Sequence, residues 1–205
     1  MIKKRAYNTE SRKIQAIETK TRVLASAKNL FITKGFDNVT MDEIAKIAGV
    51  STPSVYSFFK SKQGVIRSIM DEALEKEKFE ELVQKVTQIK TLKGRLEISA
   101  KISRRLYDAE KDQINSFRNT SVLGPEFKAI EKEREERRYQ RQEKTLKEVA
   151  NEESLAEGIN LKKAREILWA FTGRDIYRLL VIDKEWTSDE YEKWLAHSLI
   201  KLIAK

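Results

Sequence analysis

The sequence predicts an all-α fold, with an N-terminal head that contains a helix-turn-helix and a C-terminal helical body. Apolar residues recur along the chain with the 3.6-residue period of amphipathic helices. Glycine (7 of 205 residues) and proline (2) are scarce, and most of them lie between periodic segments. We therefore expect helices separated by short breaks. The head should cover 1–64, beginning with a basic extension at 1–19, and the body should cover 65–205.

The head contains a segment, TMDEIAKIAGVSTPSVYSFFKSK, with the pattern of two crossed helices. Thr40 is a good N-cap, and Glu43 completes a capping box for the first helix. Gly49 ends that helix, because glycine adopts the left-handed conformation that the sharp reversal requires. Ser51 caps the second helix, and Pro53 is tolerated in its first turn. The apolar face of the first helix consists of Ile44, Ala45, Ile47 and Ala48.

The second helix of this segment should have one buried and one outward face. Val55 and Phe59 are four residues apart and point inward. The outward residues are Thr52, Pro53, Ser54, Tyr56 and Phe58. An exposed proline and exposed aromatic rings on one short helix indicate a contact surface, and the spacing suits a helix that enters the major groove of DNA.

Two motifs in the head carry a family resemblance. The run AxxLFxxKGF at 27–36 is followed by T-x-x-x-IA-x-x-AGVS-x-x-x-VY-x-x-F-x-SK at 40–62. With these motifs, the chain from Arg22 to Met70 resembles the DNA-binding domain of TetR-family transcriptional regulators. The resemblance implies an all-helical homodimer with a three-helix DNA-binding head, a long fourth helix, and a body that binds an inducer and a second copy. It implies a ligand-responsive repressor of a palindromic double-stranded DNA operator, with an activator of the same family as the alternative.

The resemblance also assigns DNA contacts to individual positions. It implies contacts with base edges and nearby phosphates for Thr52, Pro53, Ser54 and Tyr56. It implies phosphate contacts for Thr40 and Lys62. None of the first four can read guanine or adenine with paired hydrogen bonds, so specificity should depend on half-site spacing and DNA shape. Phe58 departs from the family pattern, which often has His or Tyr there, and its ring packs either against sugar or in the core.

The positive charge is concentrated in the head. The whole chain has a net charge of +9. Residues 1–62 hold twelve Lys and Arg against five Asp and Glu, or +7, whereas residues 63–205 hold 29 against 27, or +2. A phosphate-binding surface accounts for this asymmetry. Lys3, Lys4 and Arg5 form a basic arm that either follows phosphates or the minor groove, or is a solvated tip.

The sequence lacks the residues that several classes of function require. There is no cysteine, and the single histidine, His197, cannot by itself form a metal cluster or a Ser-His-Asp arrangement. No Gly-rich phosphate loop is present, so we expect neither an enzyme nor a cofactor or metal. We also expect no membrane span and no secretory signal, which favours a cytoplasmic protein. The competing class is a helical interaction or membrane-surface protein.

Beyond the helix-turn-helix, periodicity predicts the other helices. The first helix should cover 20–34, with an extension back to Thr9 as an alternative. The linking helix should cover 61–88. The body should contain helices at 92–109, 113–122, 126–149, 161–182 and 188–204.

The last two helices are predicted to form the dimer interface. The final helix has a clean apolar stripe, and the helix at 161–182 is apolar around most of its circumference. A helix of that kind is typical of one sandwiched between its own core and a partner, although a purely intramolecular core helix is the alternative. The predicted interface residues are Phe171, Leu179, Ile182, Trp194, Leu195, Leu199 and Ile203.

The resemblance further implies an inducer pocket inside the body. Its predicted wall residues are Phe117, Phe127, Tyr139, Trp169 and Tyr177, all of which could instead be simple core. Thr172 and Gly173 interrupt the apolar helix and are candidate ligand contacts, whereas Arg174 and Asp175 could instead link across the dimer. The inducer should be a small apolar molecule: a lipophilic drug, a fatty acyl-CoA or another metabolite.

Overall fold

The computed structural model describes residues 9–76, 79–118, 125–151 and 154–205. The described residues form helices and one isolated β-bridge, between Leu155 and Ala204, so the all-α prediction is confirmed. The helices of the first half are α1 (Thr9–Lys34), α2 (Met41–Ala48), α3 (Thr52–Phe59), α4 (Lys62–Lys76) and α5 (Phe79–Gln88). Those of the second half are α6 (Leu92–Arg118), α7 (Pro125–Lys147), α8 (Leu161–Phe171), α9 (Arg174–Tyr177), a π-helical turn (Arg178–Ile182) and α10 (Ser188–Ile203).

Several predicted boundaries need correction. The first helix reaches back to Thr9, which confirms the longer of the two alternatives predicted for it. The segments predicted at 92–109 and 113–122 belong to one helix as far as Arg118, because no glycine or proline stands between them. Residues 119–122 lie outside the described part of the chain. The predicted linking helix at 61–88 is described as α4 and α5, with residues 77–78 outside the described part of the chain.

The continuous helix predicted at 161–182 is wrong. α8 ends at Phe171, and its C-cap Thr172 turns its carbonyl oxygen toward α6, where it accepts a hydrogen bond of 3.2 Å from the hydroxyl of Tyr107. Gly173 then adopts an extended conformation and begins α9. A polar capping residue followed by glycine therefore outweighs the apolar periodicity on either side.

The chain divides into two compact units, one within residues 1–71 and 116–128, the other within 72–115 and 129–205. In the first unit, α1, α2 and α3 share a core. Its fully buried side chains include Phe31, Ile44 and Val55, and the ring of Phe31 lies 5.2 Å from that of Phe36. This core fixes the angle between the two helices of the helix-turn-helix.

The second unit has a larger core built from α5 to α10. Leu96, Leu168, Tyr177, Leu195 and Leu199 are completely buried in it. No helix among the described residues combines the length and the apolar character needed to cross a bilayer.

Candidate nucleic-acid interface

The first helix of the helix-turn-helix is held by its caps. The hydroxyl of Thr40 accepts a hydrogen bond of 3.2 Å from the backbone N–H of Glu43, and Gly49 has a left-handed φ of 65°. The second half of the predicted capping box is replaced by another contact, since the Glu43 carboxylate accepts a hydrogen bond from Lys34 of α1. That bond holds the pKa of Glu43 below its ordinary value. The cap therefore also fastens α2 to α1.

α3 presents one buried face and one exposed face, as the sequence predicts. The Ser51 hydroxyl caps the helix by accepting from the backbone N–H of Ser54 at 3.3 Å. Val55 and Phe59 are buried on the inner side. The outer side carries Pro53 and Tyr56, both exposed, between the half-buried Thr52 and Ser54.

Phe58 also lies outside the core. Its ring is 39% exposed and lies 6.0 Å from the ring of Phe59, which is buried. The exposure removes the core alternative for Phe58 and leaves its ring available to a partner of this helix.

Two predicted contact residues already have partners within the chain. The hydroxyl of Thr52 donates a hydrogen bond of 2.6 Å to Oδ1 of Asp42, so only its oxygen lone pairs face outward. Lys62 donates from Nζ to the carbonyl oxygens of Phe36, at 2.8 Å, and Asp37, at 3.3 Å. These tertiary contacts carry no signal in the local sequence.

Some surface residues of the head were missed or misplaced by the pattern. Ile47, which the sequence placed on the apolar face of α2, is 59% exposed. Lys46 on α2 and Lys60 at the end of α3 are also exposed, which adds positive charge to the surface of the helix-turn-helix. The only sequence signal for them is that lysine side chains are rarely buried.

The helix-turn-helix with this exposed α3 defines a DNA-binding protein of the helix-turn-helix class. Residues 23–69 match the family described as bacterial regulatory proteins, tetR family. Residues 23–69 are therefore a DNA-binding domain of the TetR-family type, and the relatives found are regulators of transcription rather than enzymes.

Two curated relatives illustrate the sequence match. The chain is 43% identical over 49 residues to the HTH-type transcriptional regulator EthR of Mycolicibacterium smegmatis, covering 24% of this chain and 23% of EthR. It is 29% identical over 133 residues to the uncharacterized HTH-type transcriptional regulator YdgC of Bacillus subtilis, covering 59% of this chain and 62% of YdgC. The chain thus matches less than two thirds of the length of either relative.

Solved structures match over more of the chain. NalD of Pseudomonas aeruginosa, described as the secondary repressor of a multidrug efflux pump, has a TM-score of 0.72 and 17% identity, covering 93% of this chain and 98% of NalD. A transcriptional regulator of Aquifex aeolicus has a TM-score of 0.60 and 26% identity, covering 88% of this chain and 97% of its own. The fold of head and body is therefore that of known regulators.

The residues predicted to line an inducer pocket fall in different places. Tyr139 and Trp169 form an edge-to-face pair at 6.1 Å, and Trp169 is 37% exposed. Tyr177 is fully buried and donates a hydrogen bond of 2.6 Å to Asp108. Thr172 is buried and lines a small cavity of the body, and Gly173 follows it in the chain. The side chains of Phe117 and Phe127 lie outside the described part of the chain.

The residues predicted for a dimer interface divide into core and surface. Leu195, Leu199 and Ile203 have no exposed area, so they belong to the core of a single chain. Phe171 stacks on Trp194 at 6.3 Å, both half-buried, as is Ile182. Leu179 is 44% exposed and remains available to a partner.

The alternative of an Arg174–Asp175 link across a dimer has a competing set of contacts. Arg174 pairs within the chain, with Glu131 and, at 3.3 Å, with the buried Glu110. Asp175 lies 3.7 Å from Arg178. Within the described ranges, no group of three or more His, Cys, Asp or Glu side chains is arranged to hold a metal ion.

Proposed function

We propose that this protein is a transcriptional repressor that binds a palindromic operator as a homodimer and releases it when a small apolar molecule binds the body. The observation that carries the proposal is the outer side of α3, where Pro53, Tyr56 and Phe58 remain exposed on a helix whose inner face is fully buried. The proposed domains are a DNA-binding head at 1–64 and a ligand-binding and dimerisation body at 65–205.

Electrostatics support the DNA contact. The net charge of +7 over residues 1–62 attracts phosphate, and each neutralised phosphate releases condensed counterions. The proposed phosphate contacts are Thr40 at the start of α2 and Lys62 at the start of α4. The exposed Lys60 is a third proposed contact. Binding should therefore weaken steeply as the salt concentration rises.

The chemistry of α3 suggests how bases are read. Thr52 can only accept a hydrogen bond, because its proton is held by Asp42. Pro53 and Tyr56 offer apolar surface, which suits the methyl group of thymine. With no bidentate side chain on this face, we propose that operator shape and half-site spacing supply much of the specificity.

A surface on the body supports a dimer. Leu179, predicted as a dimer contact, is more than a third exposed, as are Trp169 of α8 and Leu202 of α10. We propose that Leu179, together with the half-buried Phe171, Ile182 and Trp194, contacts a second copy. Two heads could then present α3 to two half-sites about one turn of DNA apart.

Related folds support a ligand-responsive body. SmeT, 20% identical with a TM-score of 0.65, is described in complex with triclosan, and FadR of Bacillus subtilis, 16% identical with a TM-score of 0.57, in complex with stearoyl-CoA. We propose that the body of this chain likewise holds a small molecule. Because its partner is DNA, we place its action in the cytoplasm.

The proposal is tested by DNA binding with the full chain. We expect binding to the DNA beside its own gene, weakening as salt is raised. Tyr56→Ala should weaken binding without changing folding, while Glu97→Ala, at an exposed residue of the body, serves as the control. DNA binding that did not depend on the salt concentration would contradict the proposal. Liposome binding without DNA binding would favour a membrane-surface protein. An operator that overlaps the promoter distinguishes repression from activation.

A further inference from the structure

A small cavity lies inside the body, between α5, α6, α7 and the C-terminal cap of α8. Its volume is about 80 Å³. One wall is apolar and consists of Phe79, Val83, Ile102 and Leu106. The opposite wall is polar and includes Gln142 and Thr172. A ligand here is limited to roughly the size of one six-membered ring.

The hydroxyl groups of the polar wall have already used their protons. Ser99 donates to the carbonyl oxygen one turn earlier in α6, at 2.7 Å, and Thr145 does the same in α7, at 3.0 Å. The hydroxyl of Tyr107 donates to the carbonyl oxygen of Thr172 at 3.2 Å. These three hydroxyl groups therefore present only hydrogen-bond acceptors to the cavity.

Gln142 contributes an acceptor that has no partner. The hydroxyl of Thr172 donates to the carbonyl oxygen of Leu168 at 2.6 Å, so the Gln142 amide group that faces this hydroxyl at 2.9 Å is the donating NH₂. The amide oxygen, Oε1 of Gln142, is buried and has no hydrogen-bond partner among the described residues. A buried acceptor of this kind is unfavourable until a donor reaches it.

Two arginines restrict the charge of a ligand. Arg138 donates to the hydroxyl of Thr172 at 2.9 Å and to the carbonyl oxygen of Trp169 at 2.8 Å, and it pairs with Glu135. The guanidinium of Arg141 lies 5.1 Å from the ring of Phe79. Positive charge at the wall disfavours an ammonium group as the donor, and a carboxylate, although the guanidinium groups would attract it, has no proton to donate to the amide oxygen.

We propose that this cavity binds a small neutral molecule with an apolar body and a hydroxyl group, such as a phenol or a short alcohol. The hydroxyl donates to Oε1 of Gln142, and the apolar body lies against Phe79, Ile102 and Leu106. That such binding releases DNA rests on the proposed function. The binding of this molecule to the cavity does not depend on the proposed function.

The test compares ligands that differ in one group. Phenol and toluene have nearly the same shape, but only phenol donates a hydrogen bond. Their affinities for the full chain without DNA are measured by calorimetry. We expect phenol to bind at least tenfold more tightly than toluene, because toluene leaves the amide oxygen unsatisfied.

Two matched variants isolate the amide. Gln142→Met keeps the side-chain length but removes the acceptor, so the ratio of phenol to toluene affinity should fall about tenfold. Gln140→Met makes the same change at an exposed position on the same helix, where the amide bonds Glu136, and should leave the ratio unchanged. Circular dichroism checks that each variant is folded.

Three results would overturn the assignment: no phenol binding to the unaltered chain, toluene binding as tightly as phenol, or an unchanged ratio in folded Gln142→Met. If Gln142→Met failed to fold, the comparison of phenol with toluene on the unaltered chain would still decide. The operator experiment contains no phenol. Intact DNA binding with no phenol binding would therefore reject the cavity assignment alone.

Discussion

The ammonium group of Lys62 donates a hydrogen bond of 2.8 Å to the carbonyl oxygen of Phe36 and lies 4.5 Å from the centre of its ring. This contact joins the start of α4 to the turn between α1 and α2. The family resemblance assigns phosphate to the same amine. An ammonium group has three protons, and a second one bonds Asp37, so one proton remains for DNA.

Lys62 should therefore contribute to stability as well as to binding. We expect Lys62→Met to lower the free energy of unfolding of the head by about 1–2 kcal/mol, since a charged hydrogen bond and a cation–π contact are lost. Urea denaturation measures the change. Lys46→Met, at an exposed lysine of α2, is the control and should change stability by less than about 0.5 kcal/mol. Equal stabilities of the two variants would show that the Lys62 contact is not stabilising.

The main features of the head could be predicted because they depend on neighbouring residues. An N-cap such as Thr40 or Ser51 and a left-handed glycine such as Gly49 act within one helical turn, and each is found where the sequence places it. The exposure of Ile47 and the bond of Thr52 to Asp42 depend instead on how two helices cross. Local periodicity in the sequence does not determine the crossing angle of the two helices.

The body was harder to predict for the same reason. The apolar stripe of α10 correctly identifies a buried face, but it cannot tell a core from a dimer interface. Leu195 and Leu199 are buried against the chain's own α8, whereas Leu179, in the neighbouring segment, remains exposed. The acceptor-rich cavity at Gln142 brings together residues of three helices that are far apart in sequence.

Lys60 occupies a backbone conformation that disfavours its side chain. Its φ is 65° and its ψ is −35°, at the end of α3. Lys60→Gly should raise the free energy of unfolding by about 1 kcal/mol, because glycine removes the steric cost but loses more entropy on folding. It should also reduce the salt dependence of DNA binding by about one phosphate contact.

Thermal unfolding and salt-titrated DNA binding measure the two effects. Lys60→Ala is the control for the backbone, since it keeps the strained conformation and loses the same charge. A stability gain equal to that of Lys60→Gly would show that charge, and not φ, is responsible.

The buried Arg95 connects α6 to the end of α7 and should make stability depend on pH. Its guanidinium pairs with Glu148 at 2.7 Å and donates to the carbonyl oxygen of Thr145 at 2.6 Å. The hydrogen bond from Arg95 holds the pKa of Glu148 below its ordinary value of 4.5. A lowered pKa in the folded state stabilises the fold above pH 4.5, and this stabilisation is lost as the pH falls through the lowered pKa.

Glu148→Gln should therefore be less stable than the unaltered chain at pH 7, and the difference should shrink as the pH falls below 4.5. Urea denaturation at a series of pH values measures the difference. Glu97→Gln, at an exposed glutamate of α6, is the matched control. A difference that grew on acidification would contradict the ion pair.

Leu179 tests the proposed dimer surface. Because its side chain is 44% exposed in the single chain, Leu179→Asp should leave the fold intact. A charge buried between two copies would be expensive, so the dimer should weaken by about 2–3 kcal/mol or more. Sedimentation equilibrium measures the change. Ile47→Asp, at an exposed isoleucine of the head, should leave the dimer unchanged, and a persistent Leu179→Asp dimer would place the interface elsewhere.

The most direct test is selection of bound DNA from a random pool by the full chain, followed by sequencing. If two α3 helices read two half-sites through a dimer, the selected DNA should contain a palindrome with half-sites about one helical turn, or a multiple of it, apart. Tyr56→Ala should weaken the enrichment. Selection of no common sequence, or of a single half-site without its inverted copy, would contradict a dimeric operator-binding protein.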